Sequence, residues 1–130
     1  GYKFGRHMTV DLVLDALENA VQAQNPAPGL ILHTDLGTQY TSEDFHKKLE
    51  QHGITPSYSR KGCPYDNACI ESFHATLKKE EVYRTRYANF EAARMALFRY
   101  IEGWYNRKRI HGSIGYLSPD TFEKLCRAAA

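Results

Sequence analysis

Apolar positions first recur at helical spacing in residues 9–23, where Leu12, Val13, Ala16, Leu17, Ala20 and Val21 share one side of a 3.6-residue repeat and Thr9 can cap the start. Asn25 to Gly29, with two prolines, ends that helix. The run Gly29-Leu-Ile-Leu-His33 is short, apolar and bounded by turn residues, the signature of a buried strand. Asp35 therefore stands just past a strand's C-terminal end. Thr41-Ser-Glu-Asp44 offers a capped start for a helix to about Gln51, with Phe45 and Leu49 as its apolar stripe and Gly53 as its stop. Ile54 to Tyr58 reads as a second short strand.

The next stretch, Ser59 to Tyr65, contains Gly62 and Pro64 and reads as a basic loop. Asp66 is a candidate N-cap for a helix to about Glu81, with Ile70, Phe73 and Leu77 turned to the core. A longer helix is expected from Asn89 to about Asn106, its stripe being Phe90, Ala93, Leu97, Tyr100, Ile101 and Trp104. Ser118 as cap and Pro119 at the first helical position open a last helix through Leu125. Helices alternating with two strands predict an α/β fold with a small sheet. Two strands make a marginal sheet, so Gly1 to Phe4 is expected to be the end of a third strand whose neighbours lie outside this chain.

At 130 residues the chain is the size of one domain, expected to span residues 1–130. With 42% hydrophobic and 25% charged residues it has the composition of a globular protein, which excludes disorder for most of its length. No apolar run approaches the roughly 18 residues of a membrane helix, and GYKFGRHMTV lacks a signal peptide's apolar stretch. No membrane partner and a cytoplasmic address are expected. Cys63, Cys69 and Cys126 are odd in number and show no metal-binding spacing, so they read as reduced thiols. Net charge is only +2, but its distribution is uneven: residues 1–57 carry 4 basic and 7 acidic side chains, and residues 58–130 carry 13 and 8. The densest basic piece is Arg107-Lys108-Arg109 beside Trp104, Tyr105 and His111, which suits either a phosphate backbone or a solvated surface.

Chemistry concentrates at two carboxylates. Asp35 lies at a strand end and Glu71 on a helix, with 35 residues between them, and active sites of open α/β sheets gather at such strand ends. Glu71 and Lys78 share a helix face, because seven residues make almost two turns. Converging carboxylates suit Mg²⁺, a hard cation that takes further ligands from water and phosphate. Taken singly, Asp35 reads as a turn residue before Gly37 and Glu71 as part of a solvated face. Tyr40, Thr41 and Asn67 can orient the carboxylates or touch substrate, with helix capping as the competing use of Asn67. Arg60 and Lys61, on the loop before the Glu71 helix, can meet phosphates, with a plain solvated loop as the competing reading. His33 reads as a packed or hydrogen-bonded residue rather than a ligand, and Trp104 as core.

HTDLGTQYTS around Asp35, SRKGCPYDNACIESFHATLKKE around Glu71 and YIEGWYNRKRIHGSIGYLSPDTFE at 100–123 resemble the transposases of bacterial insertion sequences, whose catalytic core is similar to retroviral integrases. The resemblance covers nearly the whole chain. It implies a ribonuclease H-like fold, N-terminally truncated and followed by C-terminal helices. It implies a carboxylate triad in the order Asp, Asp, Glu, of which Asp35 and Glu71 match the last two and Lys78 the basic residue that follows. The first Asp has no match, since Asp11 and Asp15 fall on the following helix. Leu36 stands where relatives usually carry Arg.

The implied activity is metal-dependent cleavage and strand transfer of DNA during transposition, with two Mg²⁺ or Mn²⁺ ions in the complete site. The implied partners are DNA, met by Lys78, Arg60, Lys61, Arg107, Lys108 and Arg109, and further copies of the chain. Alone, this chain is expected to be inactive. A non-catalytic DNA-binding or assembly module is the alternative, and carboxylate-dependent metal binding separates the two.

Overall fold

Parallel strands need a crossover, and here a helix supplies it. The computed structural model describes residues 1–60 and 63–129, and the chain divides into two compact units, Gly1–Phe73 and His74–Ala130. In the first, β1 (Ile31–Thr34) pairs in parallel with β2 (Thr55–Tyr58) in the register Ile31 with Thr55 through Thr34 with Tyr58. Between them runs a helix at Glu43–Gln51, and before them one at Val10–Gln24; these are α2 and α1. Thr9 caps α1 by accepting from the Leu12 N–H, and Ser42 caps α2 by accepting from the Phe45 N–H, both at 3.3 Å.

Gly53 turns the chain from α2 into β2 at φ +63°, a left-handed conformation that costs glycine least. Thr55 N–H donates to the Leu30 carbonyl at 2.8 Å and Ser59 N–H to the Thr34 carbonyl at 2.9 Å. Alternate residues of a parallel strand face the partner, so Pro56, which has no N–H, falls on the position facing away. Leu17 of α1, Phe45 and Leu49 of α2 and Ile54 form the buried core, with Val13, Val21, Leu32 and Tyr40 packed against it.

Residues 1–4 are not a strand. They are held on α1, where Asn19 donates to the Tyr2 carbonyl at 3.1 Å and Lys3 pairs with Asp15 at 3.1 Å. Asp66 does not cap a helix either. It lies in a 3₁₀ turn, Pro64–Asn67, and its carboxylate accepts from the Arg60 side chain at 3.2 Å and the Arg60 main-chain N–H at 3.0 Å. Those bonds commit it to the loop behind and hold its carboxyl well down, at about 2. The helix α3, Ala68–Leu77, begins directly from that turn and has no buried residue, so Ile70, expected in the core, is 46% exposed.

In the second unit the expected helices change pitch. The chain is π-helical over Lys78–Val82, and α4 (Phe90–Phe98), capped by Asn89, runs into a second π segment at Arg99–Tyr105. Bonds from Tyr83 N–H to the Lys78 carbonyl and from Asn106 N–H to the Ile101 carbonyl span five residues. Each wide turn rotates later side chains off a regular stripe. Tyr100 and Ile101 are buried, but Trp104, expected to complete the stripe, is 48% exposed. An antiparallel bridge, His111 with Leu117, leads to α5 (Pro119–Ala128), capped by Ser118. Among the described residues no helix is long and apolar enough to cross a membrane.

Candidate functional site

Asp35 follows β1 directly and is exposed. Its Oδ1 accepts from the Gly37 N–H at 2.9 Å, closing a tight Asx turn. A Cβ at position 37 would meet Asp35 Oδ1 at 2.9 Å and the Tyr40 ring at 3.3 Å, so glycine lets the turn close against the carboxylate. The rest of the loop folds on itself: Tyr40 and Thr41 N–H groups both return to the Gly37 carbonyl. The Thr41 hydroxyl also donates to main-chain carbonyls, those of Gly37 and Thr38, each at 3.4 Å. Thr41 thus supports the turn. Tyr40 packs edge-on against Phe45, with centroids 5.5 Å apart. Burial, and then the nearby charge of Asp35, push its phenol above the ordinary value.

The strand before Asp35 is pinned by His33. Its Nδ1 lies 2.9 Å from the Ser57 hydroxyl and its Nε2 3.0 Å from the Ser59 hydroxyl. Both ring nitrogens are thereby used in bridging β1 to β2 and the residue after it.

Glu71 lies in the first turn of α3, exposed, and among the described residues its carboxylate has no hydrogen-bond or ion-pair partner. Asn67 is half-buried in the 3₁₀ turn before it. Arg60 is exposed but folded onto its own loop, with Nη2 3.4 Å from Asp66 Oδ1 and 3.5 Å from Cys63 Sγ. Lys61, expected beside it as a phosphate contact, lies outside the described residues. No group of three or more His, Cys, Asp or Glu side chains suited to a metal occurs among the described residues.

The remaining expected DNA contacts stand in the second unit, and they do not act alike. Lys78 is exposed at the start of the first π segment, and Lys108 is exposed on the rim of an open groove of about 1030 Å³. Arg107 is exposed and lies 3.8 Å from Asp120. Arg109 turns inward: its Nε is 2.9 Å and its Nη2 2.9 Å from Glu80 Oε1, and its guanidinium lies 5.8 Å from the Tyr105 ring centre. The expectation of three equivalent surface cations therefore fails for Arg109, which is spent on an internal carboxylate.

Glu80 is the residue that pattern reading missed, since KKEEV looks like a helix end. It also accepts from the Tyr100 hydroxyl at 2.7 Å and the Trp104 Nε1 at 3.4 Å. Burial alone would raise its carboxyl, but the bonds from Tyr100 and Arg109, with the Arg109 charge, outweigh burial and hold it below the usual range. The opposing residue responds: burial and then Glu80 push the Tyr100 phenol far up. Beside them burial and then Arg109 push the His111 imidazole down, and its Nε2 is buried with no hydrogen-bond partner among the described residues.

Two family models, each described as an integrase core domain, match residues 1–64 and 52–119. The transposase for insertion sequence element IS904 of Lactococcus lactis is 44% identical over 95% of this chain, and the transposase InsF for insertion sequence IS3A of Escherichia coli is 42% identical over 95%. The chain covers 49% and 43% of those proteins, spanning about half the length of the curated relatives it matches. Among solved structures, the simian T-cell lymphotropic virus intasome, in complex with the PP2A regulatory subunit B56 gamma, aligns over 91% of this chain and 41% of its own, with a TM-score of 0.71 at 15% identity. The catalytic core domain of BIV integrase aligns over 93% of this chain and 75% of its own, with a TM-score of 0.65 at 22% identity. That likeness carries the ribonuclease H-like fold, and the matched models carry the family: this chain belongs to the integrase core domain family.

Proposed function

We propose that this chain is part of the catalytic core of a DNA transposase, in which Asp35 and Glu71 are two of the carboxylates that hold divalent metal for phosphoryl transfer on DNA. The observation that carries this reading is the exposed pair itself: Asp35 fixed by the Gly37 N–H on one oxygen only, and Glu71 without a partner among the described residues. Oxygen donors suit Mg²⁺ or Mn²⁺, and Mg²⁺ is commonly bound through one or two carboxylates with the rest supplied by water and substrate phosphates. Ions held there would activate an attacking oxygen and stabilise the departing one. The Gly37 N–H orients Asp35, and the cap at Ser42 fixes the loop's far end.

Support for DNA as substrate comes from the relatives named as transposases and from exposed cations at Arg60, Lys78, Arg107 and Lys108. Thr41 acts in this reading as a support of its own turn and Arg109 as the partner of Glu80. Self-association is part of the proposal, because Leu30 and Ile31 at the start of β1 are 45% and 65% exposed, an apolar strand surface that favours a partner.

The test is Mn²⁺ binding followed by the ion's magnetic resonance signal. Asp35→Asn and Glu71→Gln should each weaken binding about tenfold or more, in line with the loss of a metal ligand, without lowering thermal stability. Unchanged affinity alongside DNA binding would instead identify a non-catalytic module. With two carboxylates rather than three, the chain by itself should not nick a labelled insertion-sequence end in Mn²⁺. Nicking abolished by Glu71→Gln would show a complete site.

A further inference from the structure

The groove in the second unit has features that the carboxylate site does not use. Its walls come from both π segments and the turn after them, which bring Arg84, Arg99 and Lys108 to one opening although they are far apart in sequence. Among the described residues the side chains of these three have no hydrogen-bond or ion-pair partner. The carboxylates of the lining are already engaged: Glu80 is held by Arg109, Tyr100 and Trp104, and Glu81 accepts from the Tyr87 hydroxyl at 3.2 Å. With Glu80 paired to Arg109, the opening presents Arg84, Arg99 and Lys108 against the single charge of Glu81, an excess of positive charge around an aromatic ring. That ring is Trp104, 48% exposed, with its Nε1 tied to Glu80 so that the indole is held in one orientation.

Exposed cations around an exposed indole suit an unpaired nucleotide, because phosphates seek the cations and a base seeks the flat ring. A duplex would satisfy the cations but keep its bases stacked inside, leaving the indole without a use. An acidic peptide would likewise leave the ring uncovered. We propose that this groove binds a single strand of nucleic acid, with phosphates on Arg84, Arg99 and Lys108 and one base stacked on Trp104. The site rests on the reading of the chain as a DNA-acting protein, but it is separate from Asp35 and Glu71 and needs no metal.

Trp104 is the chain's one tryptophan, so its emission reports directly on the groove. Titrating the full chain with an oligothymidylate of about ten nucleotides, a length within one single-strand site, should quench that emission in metal-free buffer. Arg84→Ala with Arg99→Ala should weaken binding about tenfold or more and make the salt dependence shallower by about 1.4 in log–log slope, since each phosphate contact on single strands contributes about 0.7. Trp104→Phe should retain most of the affinity measured by anisotropy, and Trp104→Ala should lose roughly tenfold; far-ultraviolet circular dichroism and thermal melts establish that each variant is folded. Binding without quenching, affinity insensitive to the double substitution, or equal or stronger quenching by a matching duplex or by polyglutamate would overturn the proposal. The two readings fail separately. Quenching with Mn²⁺ affinity indifferent to Asp35 and Glu71 would sink the catalytic reading alone, and the reverse pattern would sink the groove alone.

Discussion

The two compact units of this chain are stabilised in opposite ways. In the first, Leu17, Phe45, Leu49 and Ile54 form a small apolar core, and the carboxylates Asp35 and Glu71 stand outside it with most of their bonding capacity unused. In the second, buried Tyr100 and Ile101 adjoin a charged hub, Glu80, that takes bonds from Arg109, Tyr100 and Trp104. The difference teaches that an ionisable side chain means little until its partners are known. Asp35 and Glu80 are both carboxylates, one just past a strand and the other inside a π-helical segment. One is available to a ligand from outside, and the other is consumed by the fold.

That contrast can be broken most forcefully at Phe45. Replacing it with alanine removes a side chain that is 2% exposed, and should cost about 3–5 kcal/mol. Hydrogen exchange at α2 and β2 should rise to match, as read by mass spectrometry. A cost below about 1 kcal/mol would mean that the first unit is not held by its apolar core.

A smaller effect is expected at the hub. Glu80→Ala leaves Arg109 and the Tyr100 hydroxyl without their acceptor, and should cost about 1–2 kcal/mol, at the low end for a charged hydrogen-bond centre because the pair is about a third exposed. Glu80→Gln should recover part of this by still accepting one bond. Denaturant melts of both variants check the order. Equal stability of the wild type and Glu80→Ala would remove the charged half of the comparison.

Capping gives a matched pair across the units. Ser42→Ala in α2 and Ser118→Ala in α5 should each cost about 1 kcal/mol, since each hydroxyl accepts a helix N–H at 3.3 Å. Ser118 is 6% exposed and its hydroxyl also lies 2.9 Å from that of Thr121, so its loss should be the larger of the two.

Acid should separate the units by order rather than by size. His111 has a folded pKa below 6.5, so its contribution is present above pH 6.5 and is lost as pH falls below that value and through the folded one. In the first unit Glu18, held at about 2 chiefly by hydrogen bonds from Lys48, Gln22 and His52, contributes fully above pH 4.5 and loses that contribution between 4.5 and about 2. Exchange protection in α4 and α5 should therefore weaken at a higher pH than protection in α1. His111→Phe should shift the second unit's decline toward lower pH, and an unmoved profile would show that His111 does not set it.

Much of the first unit was legible because its signals are local. Thr9 and Ser42 accept bonds from residues three positions on, Gly53 meets a left-handed turn, and Leu17, Phe45 and Leu49 recur at helical spacing, so boundaries and core follow from short windows. The likeness to transposases was also legible, because three separate blocks of sequence carry it. Asp66 misled as a cap because its competing donor, Arg60, lies behind it in the chain.

By itself the sequence determined the order of the helices and of β1 and β2, the caps at Thr9, Ser42 and Ser118, the apolar stripes of α1 and α2, and the presence of Asp35 and Glu71 at a strand end and on a helix. Tertiary structure decided which cations stay exposed and which turn inward, since Arg109 and Arg84 look alike in sequence and differ only in whether Glu80 is within reach. It also decided the pitch of the second unit's helices. A π turn needs an acceptor five residues back, and side chains from residues 80, 100, 104 and 109 come together there through contacts that no window of local propensity contains.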